Sequence, residues 1–470
     1  MKRLFPMMEM LLIAGCTSYT PRPLDASQQQ SALEARRLDA PAVRLFAERS
    51  LGHDLTLWPP HSWDFDALTL AAFTFHPDLD RDQAQRLVAE TAVVTAGARP
   101  NPSLGTSFQR SQNPPTGTSP WTNGINLDIP LETAGKRDYR IAQSLHLADA
   151  ARLRSAEAVW QVRSRVRVSL LASYPTESRV QRQHDLQAEI ATILERRFAL
   201  GSASQPEVTQ AHLFLNQATL ALRDNQKQQA ENLARLAAAV GIPASALDGA
   251  EIAYASFESL LPLSALPAAD TRRQALLARP DVLAALADYE AAQSALQLEI
   301  ARQYPDVSLG PGYTYDQGLR RWSLGLSLAL PIMNRNEGPI AEARARREVA
   351  AAAFLTVQAK AIAEVDEALT SYAHALQSFE SADLLLQNQR RKERSAESAL
   401  RVGEADRLGW LSAQYETVAA DLARITTLTQ AQLSLGRLED ALRRPLGAQA
   451  LALTAEQVIS AKHQRNGSQP

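Results

Sequence analysis

The feature that most restricts this chain is a change of hydrophobic period that occurs twice. From Trp121 to Pro130, Ile125, Leu127 and Ile129 alternate with Gly124, Asn126 and Asp128, the period-two pattern of a strand with one apolar and one polar face. The pattern returns 201 positions later, from Trp322 to Pro331, where Leu324, Leu326, Leu328 and Leu330 alternate with Ser323, Gly325, Ser327 and Ala329. Each copy runs into a long helical pattern. A strand that feeds a long helix, twice over, is the plan of the chain.

Aligning the chain on itself at offsets of 201 to 203 extends the match: His76-Pro77-Asp78 answers Arg279-Pro280-Asp281, Gly201 answers Gly403, and Pro243 answers Pro445. The repeat divides the chain into a first unit, 63–266, and a second, 267–447, with a leader at 16–62 and a tail at 448–470. The first unit is expected to read helix 77–99, strand 103–110, loop 111–120 and strand 121–130. The second is expected to read helix 280–303, strand 306–315, a polar loop at 316–321 and strand 322–331. Long helices then run over 135–200 and 339–402, the second with Asn336 as cap and Pro339 in its first turn. About 65 residues of helix span roughly 100 Å, too long for one globular domain. Ile141, Leu145, Ala148, Val159, Val162 and Val166 keep the three-four spacing of a coiled-coil seam. Pro175 predicts a kink in the first rod that its counterpart Gln377 does not.

Composition narrows the chemistry. The 49 basic and 51 acidic residues are interspersed and leave a formal net charge of -2, so no basic field exists to recruit nucleic acid. Hydrophobic residues make up 45% but aromatics only 6%, which favours closely packed small-residue helices. No apolar run reaches the ~18 residues of a spanning helix, so any passage through a bilayer must use strands. The four strand segments suit that task. They are short, have one aliphatic and one Gly/Ser/Asn face, and carry Trp121, Trp322, Phe108, Tyr313 and Tyr315 as an aromatic girdle. Four strands cannot close a barrel, and an open edge is not viable in lipid. Several chains must share one cylinder: eight strands from a dimer would be plugged by side chains, and twelve from a trimer would leave a duct. Asn126 and Asp128 would then line its lumen, Asp128 either as a carboxylate ring that favours cations or as a solvated charge without selectivity. The competing reading is a periplasmic coiled-coil scaffold lipoprotein whose hairpins pack on a soluble core, without a pore.

No enzyme, cofactor or metal centre is expected. Gly135-Lys136-Arg137 lacks the upstream glycine and the Ser/Thr of a phosphate loop, and the eight histidines are scattered without paired ligand spacing.

At the N-terminus, basic Met1-Lys2-Arg3 precedes a mostly apolar stretch, and Ile13-Ala14-Gly15-Cys16 resembles the lipobox of bacterial lipoproteins. That resemblance implies a signal peptide over 1–15 and lipidation at Cys16, with Thr17 directing the product to the outer membrane. Cys16 is the only cysteine, so no internal disulfide is available to it. Residues 18–36 read as an extended polar leader, 33–50 as a short amphipathic helix, and the prolines of 57–63 as a break.

The internal repeat, the strand pairs 103–130 and 306–331, the stretch GKRDYRIA from Gly135, and the turns RFALGSASQPEVTQA and ALRVGEADRLGWLSA resemble the TolC family of outer-membrane efflux proteins. The likeness runs from about Trp63 to Gly447. The expected fold is mainly α with a small β part, duplicated long-helix coiled-coil hairpins plus four transmembrane strands; the resemblance implies a trimeric α-barrel/β-barrel. It implies a homotrimer in outer-membrane lipid with a periplasmic helical tunnel, acting as the exit duct of a tripartite efflux system. Its partners would be a periplasmic membrane-fusion adaptor and an inner-membrane pump of the RND class. It places the periplasmic gate and adaptor contact at the two helix turns, with Arg197, Gly201 and Glu207 at the first and Arg401, Gly403, Glu404, Asp406 and Arg407 at the second. Gly409 and Ser412 stand where the family's gate aspartates are expected, so these charges either form substitute ion pairs or are simply solvated.

Overall fold

A computed structural model describes residues 19–446, 457–459 and 461. The proposed signal peptide, Cys16, and most of the 448–470 tail lie outside the described residues.

The N-terminal part differs from the expected leader. Instead of an extended stretch and one helix over 33–50, there are two helices, α1 (Ala26–Glu34) and α2 (Pro41–Leu51). Asp25 starts α1 by accepting from the backbone of Ser27 and Gln28, and Pro41 opens α2. Both are helix-start signals, Asp25 inside the stretch expected to be an extended leader and Pro41 inside the stretch expected to be helical. α3 (Phe65–Phe75) is mostly apolar and nearly wholly buried, its two threonines included.

The repeated elements follow in order: α4 (Pro77–Ala96), β1 (Ser103–Arg110), β2 (Trp121–Leu131), α5 (Lys136–Ala172), α6 (Glu177–Ala199) and α7 (Gln205–Val240), then α8 (Ala269–Leu277), α9 (Pro280–Ala301), β3 (Val307–Asp316), β4 (Leu319–Leu328), α10 (Glu337–Arg401) and α11 (Arg407–Leu442). The first rod is thus two helices broken around Pro175, whereas α10 runs unbroken for 65 residues, which at 1.5 Å per residue is roughly 100 Å. Asn336 does occupy the cap position of α10, but not as a side-chain cap. Its backbone is left-handed (φ 62°) and its amide donates to the Glu299 carbonyl at 2.7 Å.

β4 departs most from expectation. It spans Leu319–Leu328 rather than 322–331, because the polar loop proposed at 316–321 is only Gln317-Gly318. Both have positive φ, 49° and 110°, the geometry of a two-residue hairpin turn whose twist matches its strands. The four strands form one antiparallel sheet in the order β1-β2-β3-β4.

Two cores hold the middle of the molecule. The larger gathers Phe46, Phe65, Leu68 and Phe73 against Val162, Val166 and Leu170 of α5 and Leu236 and Val240 of α7. The smaller packs Tyr372 of α10 against Leu435 and Leu438 of α11. Of the proposed coiled-coil seam, Val159, Val162 and Val166 are buried while Leu145 is exposed. Among the described residues no helix is long and apolar enough to cross a membrane.

Candidate functional site

Register fixes what the sheet can do. Thr106, Ile125, Tyr313 and Trp322 lie in one row across all four strands; Leu104 faces Leu127, Ile129 faces Leu309, and Leu309 faces Leu326. Because side chains alternate, these rows share one face, and it is apolar. Trp322 and Leu324 there are 82% and 76% exposed, a density of bare apolar side chains that water would oppose at roughly 1.5–3 kcal/mol each. Tyr313 and Trp322 pack ring on ring at 4.8 Å.

The opposite face is small and polar. Gly105, Asn126, Gly312 and Ser323 form one row, and Ser107, Gly124, Thr314 and Arg321 another. Polar side chains lie over the glycines: a Cβ on Gly105 would meet Asn126 Oδ1 at 2.3 Å, and one on Gly124 would meet Ser107 Oγ at 2.6 Å. Asn126 and Asp128 both lie on this face, Asp128 opposite Ser103. Near the hairpin turn, Thr122 donates to Asp316 Oδ1 at 2.9 Å and Arg321 reaches Asp316 at 3.3 Å.

Sheet and rods meet at a staple absent from the expected site residues. Lys136, buried at the start of α5, donates to the Tyr304 carbonyl at 2.6 Å and to Asp306 Oδ1 at 2.7 Å, and Thr133 N donates to the same carboxylate oxygen at 3.0 Å. Burial pushes Asp306 up, but the bonds from Lys136 and Thr133 outweigh it and hold the carboxyl below its ordinary value. Arg140 pairs with Glu132 beside it.

At the far ends of the rods, α6 and α10 stop in the same way. Gly201 (φ 74°) and Gly403 (φ 79°) take the left-handed position. Beyond them Ser202 N donates to the Arg197 carbonyl at 2.8 Å and Glu404 N to the Ala399 carbonyl at 2.9 Å, the six-to-one bond that closes a helix end on glycine. Each next helix is capped from within. The Glu207 carboxylate accepts from Ser204 N and Oγ, both at 2.6 Å, and Asp406 Oδ1 accepts from Gly409 N at 2.9 Å.

The two turns are joined by charge. Arg197 Nη2 donates to Asp406 Oδ2 at 2.9 Å, and Arg407 Nε donates to Glu189 Oε1 at 2.9 Å. The Gly409 amide, and after it Arg197, hold the Asp406 carboxyl below its ordinary range. Arg401 reaches only Glu397 of its own helix, at 3.8 Å; among the described residues the Glu404 side chain has no hydrogen bond or ion pair. Ion pairs thus form between the tips, through Arg197, Asp406 and Arg407. Glu207 is engaged in capping its own helix.

A second charged cluster was missed altogether. Arg163 of α5 donates to Glu439 Oε2 of α11 at 2.9 Å, Arg167 Nη2 forms an ion pair with the same oxygen at 2.9 Å, and Glu439 is 1% exposed. Gly436 makes room for them: a Cβ there would meet Arg167 Cδ at 2.6 Å. The available signal was two arginines four apart beside Val162 and Val166, on the buried stripe. Among the described residues no group of His, Cys, Asp or Glu is placed to hold a metal ion.

The sheet with its bare apolar face leads into long helices, of which α10 alone spans roughly 100 Å. Residues 72–242 and 271–443 match the family described as outer membrane efflux protein. The chain belongs to the outer membrane efflux protein family. It is 26% identical to the pyoverdine export outer membrane protein OpmQ of Pseudomonas aeruginosa, over 93% of this chain and 94% of that one. It is 28% identical to the cobalt-zinc-cadmium resistance protein CzcC of Cupriavidus metallidurans, a match spanning 53% of this chain and 58% of CzcC. In fold it is similar to the outer-membrane channel OprN (TM-score 0.66, 18% identity, 92% of this chain and 99% of that one). It is similar too to the outer membrane protein VceC of Vibrio cholerae (TM-score 0.66, 22% identity, 82% and 97%).

Proposed function

We propose that this outer-membrane efflux protein works as a homotrimer, the passive exit duct of a tripartite efflux system. The observation that carries the reading is the sheet. Among the described residues β1 and β4 have no partner strand along their outer edges, and one face is apolar and bare. Three copies joined β4 to β1 close a twelve-stranded cylinder that satisfies both edges and turns the apolar face to lipid. Gly105, Asn126, Asp128 and Ser323 then line a hydrated lumen. The units 63–266 and 267–447 each supply two strands and one coiled-coil hairpin, and the exposed Leu145 meets a neighbouring protomer. Cys16 carries the lipid anchor.

The hairpin turns at Gly201 and Gly403 form the periplasmic tip. There the Arg197–Asp406 and Glu189–Arg407 pairs hold the two hairpins together, and a membrane-fusion adaptor coupled to an inner-membrane RND-type pump releases them by binding the open tip better than the shut one. Solute diffuses through; tight binding in the lumen would only slow its exit.

The test is conductance. Purified full-length protein should migrate as a heat-resistant oligomer, fractionate with the outer membrane and give discrete ion currents in planar bilayers. A monodisperse, non-conducting dimer of the delipidated chain would favour the scaffold lipoprotein instead.

A further inference from the structure

The apolar face of the sheet carries charge on only two strand residues, Arg110 and Arg320, and both stand at the same end. Arg320 shares a row with Tyr315, Asn123 and Phe108. That row lies two residues along the strands from the row of Trp322, Tyr313 and Ile125, and so on the same face. Arg110 lies opposite Trp121, with its guanidinium over that ring, 5.6 Å from the centroid. The two strand acids, Asp128 and Asp316, are on the polar face, as is Arg321, which reaches Asp316.

This end is the one away from the rods, where the 111–120 loop and the Gln317-Gly318 turn reverse the chain, and the loop itself contains no charged residue. Arg110 and Arg320 are exposed, and among the described residues neither has an ion pair or a side-chain hydrogen bond. At the rod end, by contrast, Lys136 and Arg140 are matched by Asp306 and Glu132. A cation beside hydrocarbon is costly unless its head reaches the interface and finds an anion there. Both edge strands place it for that: Trp322 precedes Arg320 by two positions toward the turn, and Phe108 likewise precedes Arg110. Aromatic rings settle at headgroup level, so the guanidinium groups just beyond them stand at the height of headgroup phosphates, which they can take with two parallel hydrogen bonds.

We propose that Arg110 and Arg320 form a seat for the phosphate of an outer-leaflet lipid headgroup at each seam of the closed barrel. The proposal rests on the duct reading, because joining β4 of one copy to β1 of the next is what sets Arg320 and the next copy's Arg110 on neighbouring strands, about 4.8 Å apart. It adds the class of lipid that the barrel selects and the residues that select it. Two cations without a carboxylate on that face leave a phosphate as the complementary charge.

The test uses the purified full-length oligomer in detergent, with bound lipid counted by native mass spectrometry. A bisphosphorylated glycolipid of the lipid A type should bind, one per seam, and its dephosphorylated form roughly twentyfold more weakly. R110Q and R320Q should each weaken binding of the phosphorylated lipid about fivefold. R110K/R320K, which keeps both charges, should retain most of it, and R321Q, on the polar face, should change nothing. Heat-resistant oligomers on a gel and currents in planar bilayers establish assembly for each variant, and the comparison of the two lipids on the wild type needs no variant at all. Equal binding of both lipids, or undiminished binding by R110Q/R320Q, overturns the proposal. Displacement of the lipid by inorganic phosphate alone would identify a free-anion site and overturn it too. Either result with wild-type currents intact removes the seat and leaves the duct; a wild type that neither conducts nor forms heat-resistant oligomers removes both.

Discussion

Lys136 at the start of the first rod and Asp306 just before β3 meet at 2.7 Å, so the foot of the sheet's second hairpin is bolted to a helix of the first repeat. K136M should strip Asp306 of its main partner and leave the Tyr304 carbonyl unserved. Asp306 is half-exposed, so we expect a loss of only about 1–2 kcal/mol, read as a lower melting temperature of the oligomer. The pH dependence has a definite sign. The folded-state carboxyl lies below its ordinary 3.8, so its contribution is full above that value and fades as pH falls through the lower folded value. K136M should flatten that acid limb.

Glu439 is the shared ion-pair partner of two buried arginines. E439Q would remove the one carboxylate in direct contact with both Arg163 and Arg167, a change that costs about 3–5 kcal/mol where one partner of a buried pair is removed. Thermal unfolding of the purified variant should show it as the largest single loss among charge substitutions in the chain. Replacing Arg37, whose ion pair with Asp39 is largely exposed, should change little.

On the polar face of the sheet, Asn126 lies where a side chain at position 105 would stand. G105A should therefore reduce the yield of heat-resistant oligomer, and N126A in the same chain should restore it. A double-mutant cycle ought to give a coupling of about 1 kcal/mol. Zero coupling would mean that the two residues do not share that space.

Gly201 and Gly403 have open space around an added Cβ, so their requirement is purely one of backbone. G201A should cost about 1 kcal/mol through its positive φ alone. Faster amide exchange over 197–204, with G201N intermediate, would register it.

Much of this was legible because it rests on periodicity. The alternation around Ile125 and Leu324 gave the strands and their apolar face, and the glycines at 201 and 403 gave the turns. Less was legible wherever a local signal was outvoted by a louder one. Trp322 drew the start of β4 three residues too late, although Gln317-Gly318 is a two-residue turn and marks the true start. Ser204 followed by Glu207 spells a capping box, and its meaning was hidden by the family position it also fills. Arg163 and Arg167 sit on a buried stripe, where charge is usually unexpected; their partner Glu439 lies 276 positions away, counting from Arg163, beyond the reach of any pattern. The polar wording of 18–36 hid α1, because a nine-residue helix with no buried residue leaves no hydrophobic trace.

The central claim is that one face of the sheet meets lipid and the other meets water. Spin labels placed singly from position 323 to 328 in the reconstituted protein test it, by collision with oxygen, which concentrates in lipid, and with a nickel chelate, which stays in water. The account predicts oxygen-dominated collisions at 324, 326 and 328 and nickel-dominated ones at 323, 325 and 327. Equal nickel access at all six positions, or burial of the even ones against protein, would contradict it.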